Sequence, residues 1–210
     1  MVRTKAFKNW FGDWENKPES ASKIIDSNGE PMIVYHGSGS TFEIFDKKKS
    51  DDKEGRKYGV GTGKGVFSFN NDVELAYNWM NRAKDRAEHG VGSNAPKLYQ
   101  VFLNIRNPIS RDDFESQLDK KFEGYQFRNQ KERDKFIAEI RKEMKKNKQD
   151  GIVASFGEYS AFEPNQIKSI DNKGSFDKKS HNINEENDVI WHRFYIYWSP
   201  IRIELNIDIS

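Results

Sequence analysis

Three short stretches carry side chains able to do chemistry. The first is "VYHGS" at 34–38, where an apolar run ends in His36, Gly37 and Ser38. A buried strand has no need of an imidazole at its tip, and neither does an ordinary surface turn. The second is "GVFSFNNDVELAY" at 65–77, in which Phe67 and Tyr77 offer two aromatic rings. The third is "GEYSAFEPNQIKS" at 157–169, in which Glu158 opens a strand-like segment and Glu163 follows. Each has an ordinary reading when taken alone. His-Gly pairs are common, Phe67 and Tyr77 suit a core, and Glu158 suits a solvated surface.

Other chemistries fail on spacing. A P-loop needs Gly-x-x-x-x-Gly-Lys-Ser/Thr. The run "YGVGTGKG" has Tyr58 in place of the first glycine and Gly65 in place of Ser/Thr. A dinucleotide fingerprint fails too, because Lys64 or Val66 stands where its last glycine belongs. The histidines at 36, 89, 181 and 192 are scattered, so no metal site is expected. No Gly-x-Ser-x-Gly elbow is present. The chain has no cysteine, which removes disulfides and thiolate metal sites.

The elements that must hold these residues are short and mixed. With 210 residues the chain can bury a sizeable core. Charged residues reach 32%, yet 15 Phe, 8 Tyr and 5 Trp give a composition that folds. A net charge of +2 neither demands nor forbids a nucleic-acid partner. A helix is predicted at 4–12, capped by Thr4 and stopped by Gly12. Residues 23–35 read as a hairpin about Asn28-Gly29. A second helix is predicted over 72–88 with Asn71 as its cap. A third, basic and amphipathic, is predicted over 128–147. Strands are predicted at 65–69, 97–109, 150–155, 158–162 and 166–170. The tail "IRIELNIDIS" alternates apolar and polar residues and reads as a strand. Two or three helices spread irregularly among many short strands predict an α+β fold with mainly antiparallel sheets. No stretch is apolar enough to span a membrane. The opening "MVRTKAFKNWFGDW" lacks the apolar run of a signal peptide. A cytoplasmic protein is expected, with delivery into a host or target cell by a signal-independent route left open.

In their order and spacing, the three stretches resemble one family. The chain resembles ADP-ribosyltransferases of the His-Tyr-Glu branch, that of diphtheria toxin and the poly(ADP-ribose) polymerases. The closer likeness is to the ADP-ribosyltransferase domains of phage polyvalent proteins and related bacterial toxins. It is carried by "FKNWFGDW", "NGEPMIVYHGS", "GVFSF…AY", "EYSAFEPNQIKS" and "NKGSFDKKSHNI". It covers roughly residues 5–184, with 110–148 outside it. The resemblance implies a split β-sandwich of two mainly antiparallel sheets with a few peripheral helices. It implies a catalytic domain over 1–184, followed by a strand-rich extension over 185–210.

The resemblance also implies a reaction. The family cleaves the bond between nicotinamide and ribose in NAD and transfers ADP-ribose to an acceptor, through an oxocarbenium-like transition state. His36 would bind a ribose hydroxyl of the adenosine half. Gly37, through its backbone, and Ser38, through its hydroxyl, would bind the nicotinamide amide. Phe67 would be the catalytic aromatic and Tyr77 the second wall around the nicotinamide ring. The family usually has Tyr at the first of these positions, so the stacking face is kept here and the hydroxyl is absent. Glu158 would be the catalytic carboxylate, bonding the 2′-hydroxyl of the nicotinamide ribose, with Glu163 its nearby rival. Gln166 and Lys168 read as structural. The loop 46–64 would cover NAD, with Arg56, Lys57 and Lys64 near the pyrophosphate.

The expected function is therefore mono-ADP-ribosylation of a macromolecule, protein or nucleic acid, by a toxin, effector or phage-associated modifier. An antitoxin or immunity partner would suit that role. The alternatives are a catalytically weak NAD- or nucleic-acid-binding module and a small ribonuclease toxin.

Overall fold

The computed structural model describes residues 1–50, 65–88, 95–122 and 130–185. Helix α1 is Lys5–Phe11, and Thr4 Oγ1 accepts from the Phe7 N–H. Gly12 ends it at φ 106°, pressed against Ala21. The remaining helices are α2 (Val73–Glu88), α3 (Arg111–Phe122) and α4 (Gln130–Lys146). The strands are β1 (Val34–Ser38), β2 (Phe67–Asn70), β3 (Lys97–Leu103), β4 (Pro108–Ser110), β5 (Gly151–Val153), β6 (Glu158–Ala161) and β7 (Ile167–Ser169).

The fold is mixed, as its alternation of short strands and helices requires, but the described strands form one sheet and not two. Their order is β4-β5-β6-β2-β1-β3-β7, antiparallel except for β4 beside β5. The expected two-sheet sandwich is corrected at a single point. Strand β1 meets β2 through one register pair, Tyr35↔Asn70, and that pair joins the two halves. By contrast, β1 and β3 share five pairs from Val34↔Val101 to Ser38↔Lys97. The β1–β2 junction is thus a narrow seam within a continuous sheet.

Side chains alternate across this sheet, and the register assigns each to a face. The inner face carries Val34, His36, Phe67, Phe69, Tyr99, Val101, Tyr159 and Ala161. The apolar residues among them form one core with Ile24, Phe45 and Ile183. The outer face carries Tyr35, Gly37, Ser68, Asn70, Glu158 and Ser160. Helix α2 lies against β1 there, and α3 and α4 pack Phe114, Leu118, Ile137, Ile140 and Met144 on Ile109 and Ile152.

Three local expectations shift. The 23–35 segment keeps its turn, with Gly29 at φ 79° and Asp26 Oδ1 accepting from Asn28 and Glu30, but its arms share only the bridge Ile25↔Pro31. Asp72, not Asn71, caps α2, accepting from the Glu74 N–H at 2.9 Å. Helix α3 was not expected; Ser110 Oγ caps it by accepting from the Asp113 N–H at 3.0 Å. Gln166 and Lys168 are structural, as read. Gln166 bonds the backbone of Phe162, Glu163, Asn104 and Asp150. Lys168 is fully buried and pairs with Glu185, the residue at which the extension is expected to begin. Residues 186–210, with the "IRIELNIDIS" strand, lie outside the described residues.

The seat of α2 on β1 is testable at Gly37. A Cβ there would stand 1.9 Å from the Ala76 carbonyl oxygen, so even alanine must push the helix away. Gly37→Ala should cost about 2–3 kcal/mol, read as a lower urea midpoint. An unchanged midpoint would show that α2 does not rest on this residue.

Candidate active site

The seam places the predicted residues. Beyond Tyr35↔Asn70, continued antiparallel pairing would set His36 opposite Phe69 and Gly37 opposite Ser68. No such register pairs form. Instead the His36 ring reaches across, with Nδ1 2.8 Å from the Ser68 carbonyl oxygen. A carbonyl only accepts, so Nδ1 carries the proton in this contact. In the neutral ring this leaves Nε2 as an acceptor. Phe45 and Phe69 flank the imidazole at 5.2 and 5.5 Å between ring centroids. Burial holds the His36 pKa below the usual imidazole value, and the Ser68 carbonyl opposes that only in part. The half-buried ring is therefore neutral at neutral pH.

Gly37 follows His36 and, facing the other way, lies on the outer face under the Ala76 carbonyl of α2. Tyr77 is the next residue of that helix and is 48% exposed. Ser38 closes the strand, its Oγ accepting from the Ser40 N–H at 3.1 Å. Glu158 begins β6 on the same outer face. It pairs with Asn70, which pairs with Tyr35, so Glu158, Asn70 and Tyr35 form a row across three strands. At the usual strand spacing, Glu158 and Tyr35 backbones are roughly 10 Å apart. His36 is the next residue along β1, so its side chain lies on the opposite, inner face and meets this row only at the gap where β1 parts from β2.

Phe67 shares the inner face with His36, opposite to Gly37 and Glu158. It is 4% exposed, on the inner face, with its ring 5.3 Å from Phe45. The exposed residue of β2 is Ser68. Glu163 is set apart from Glu158: it lies beyond β6 at the start of a short 3-10 turn, ion-paired with Lys47. Arg56, Lys57 and Lys64 lie outside the described residues. The described flanks of their loop meet, with the Gly65 N–H donating to the Ser50 carbonyl at 3.2 Å.

One site residue escapes sequence reasoning. Arg111, the first residue of α3, puts Nη1 3.5 Å from Glu158 Oε1 while its Nε bonds Glu115. The guanidinium thereby ties the carboxylate to the helix that covers β4 and β5. The available signal was the Ser110/Asp113 cap with Phe114 and Leu118 one turn apart, which marks α3 but not its partner.

With the imidazole on the inner face of the parted seam and the glycine and carboxylate on its outer face, an extended ligand with several hydroxyls touches all three only by lying across the gap between β1 and β2. The sequence profile of ADP-ribosyltransferases in polyvalent proteins matches residues 26–176. The chain belongs to this family. The match takes in every site residue named above, including Arg111, and runs continuously through 110–148, which the resemblance had left outside. Helix α1 lies before it. No curated protein and no solved structure matches the chain. Membership makes this an ADP-ribosyltransferase domain, whose family uses NAD as substrate. Among the described residues, no helix is long and apolar enough to cross a membrane.

The lowered His36 pKa has a signed consequence. Above about pH 6.5 the ring is neutral in both folded and unfolded chains and stability is full. As pH falls from there, the unfolded chain takes up the proton first, so stability is lost until the lowered folded value is passed. The urea midpoint of the wild type should drop between about pH 7.5 and 5.5 by more than that of His36→Asn. Equal drops would remove His36 from this role.

Proposed function

We propose that the protein is an NAD-dependent mono-ADP-ribosyltransferase of the His-Tyr-Glu type, with its centre at the β1–β2 seam. The observation that carries this is the outer-face row Glu158, Asn70, Tyr35, with the His36 imidazole behind it at the gap where β1 parts from β2. The C–N bond between ribose and nicotinamide breaks, and its electron pair leaves on the nicotinamide nitrogen, which becomes neutral. Positive charge grows on the ribose. Glu158 accepts from the 2′-hydroxyl of that ribose, a bond that strengthens as the charge develops. The acceptor's nucleophile then bonds the anomeric carbon and gives up its proton.

Other residues position the dinucleotide. His36 accepts a ribose hydroxyl of the adenosine half at Nε2, because Nδ1 is held by Ser68. Gly37 and Ser38 take the nicotinamide amide. Tyr77, exposed on α2, supplies the open aromatic wall. Phe67 supports the floor from within the core, where a missing hydroxyl leaves no unpaired polar atom. Arg111 sets the rotamer of Glu158. The acceptor is a macromolecule, and a cytoplasmic, phage-associated modifier or toxin with an antitoxin partner fits the family's occurrence in polyvalent proteins. Buried Phe67 also favours a second reading, an NAD-binding module without turnover.

Nicotinamide release from NAD separates the two. The wild type should release it, and Glu158→Gln should lose several hundredfold in kcat, on the order of 4 kcal/mol, with KM little changed. Arg111→Ala should lower kcat about ten- to a hundredfold through misplacement of the carboxylate. Equal release by wild type and Glu158→Gln would contradict the reading. NAD binding by calorimetry with no release would support the silent module.

A further inference from the structure

Away from the seam, α4 and the segment after β6 enclose a groove of about 480 Å³. Arg141, Lys142, Lys145 and Lys148 line it on one side and Phe162 on the other. Two carboxylates also line it, and both are already engaged. Asp150 accepts from the backbone N–H groups of Arg106 and Asn107, and Glu163 pairs with Lys47. Lys142, Lys145 and Lys148 are exposed and make no ion pair among the described residues. The C-terminal dipole of α4 accounts for cations in its last turn. It does not account for Arg141 and Lys142 further back, nor for Lys148 beyond the helix. Lys148 is fixed by the fold: it is left-handed at φ 59°, and Asn107 Nδ2 donates to its carbonyl.

We infer that this groove binds the phosphate backbone of a single-stranded nucleic acid, which makes nucleic acid the acceptor class. The inference rests on the proposed transferase reading for its acceptor role, and on the groove alone for binding. Three features favour nucleic acid over an acidic protein. The uncompensated cations line one groove in succession, Lys142 and Lys145 a turn apart on α4 and Lys148 just past its end, and so suit a strand charged at every unit. Arg141 lies over the buried Phe162 ring, 5.4 Å from its centroid, which holds at the groove a planar guanidinium of the kind bases stack upon. The groove also shares a face with the catalytic carboxylate. Glu158, Ser160 and Phe162 alternate along one strand direction, so Phe162 is roughly 13 Å from Glu158 on the same side. A strand of a few nucleotides held at α4 reaches the carboxylate.

The test uses fluorescence anisotropy with labelled single-stranded oligonucleotides of about a dozen nucleotides, DNA and RNA in separate arms. The wild type should bind at least one of them with a steep salt dependence. The triple variant Lys142→Glu, Lys145→Glu, Lys148→Glu should bind about tenfold or more weakly, with the salt slope reduced by about 2. A Lys→Gln triple variant with an unchanged melting temperature should show the same direction and guards against misfolding. Both variants should release nicotinamide from NAD as the wild type does while losing transfer of ADP-ribose to the oligonucleotide. Unchanged oligonucleotide binding by the variants overturns the inference. So does polyglutamate binding as tightly as the oligonucleotide, which assigns the groove to an acidic protein. Loss of nicotinamide release in step with binding also overturns it, by placing the groove within the NAD site. Salt-sensitive binding without any nicotinamide release by the wild type leaves the groove standing and removes the transferase reading.

Discussion

The His36–Ser68 contact is the constraint on which the rest of the site depends. Two strands that pair at Tyr35↔Asn70 would ordinarily continue to pair, and a closed ladder offers a ligand nothing. Here an imidazole takes the Ser68 carbonyl in place of the backbone. Ser68 is the exposed residue of β2, and the imidazole gives its carbonyl a donor in place of a backbone N–H, so the parting of β1 from β2 does not leave that carbonyl unpaired. The same bond fixes the ring's tautomer. Burial keeps the ring neutral and so preserves Nε2 as an acceptor.

Everything else follows the seam outward. Gly37 lets α2 rest on β1, and Tyr77 is exposed on that helix. Strand β6 lies beside β2, so Glu158 faces the same side as Gly37. Arg111 then anchors the carboxylate from α3. The three aromatic and apolar clusters divide the labour of support. The inner core carries the sheet, the α3–α4 cluster backs β4 and β5, and the Phe7, Trp10, Phe11 and Trp14 cluster secures β3 through Phe102.

Local signals were legible in the sequence wherever the physics is local. Thr4 and Gly12 bound α1 because a hydroxyl and a left-handed glycine act within a turn. The alternation Phe67, Ser68, Phe69 already implies that both phenylalanines face inward, which sets Phe67's burial in tension with a stacking role. Pairing across distance was not legible. Nothing local says that β1 and β2 meet in one pair, and the two sheets that the resemblance implied are one sheet among the described residues. Arg111 illustrates the same limit: its helix has a readable cap, but its contact with Glu158 depends on how α3 crosses β4 and β5. The arms of the 23–35 turn pair outward and not with each other: the second enters β1 and pairs with β3 at Val34 and Tyr35, and the Lys23 N–H of the first donates to the Ile105 carbonyl.

The most direct test is a structure of the protein bound to a non-hydrolysable NAD analogue. The account predicts the dinucleotide across the seam, with an adenosine ribose hydroxyl on His36 Nε2. It predicts the nicotinamide ribose 2′-hydroxyl on the Glu158 carboxylate and the His36–Ser68 bond intact. A dinucleotide seated elsewhere, or one that breaks the Ser68 contact and leaves Glu158 untouched, would contradict it.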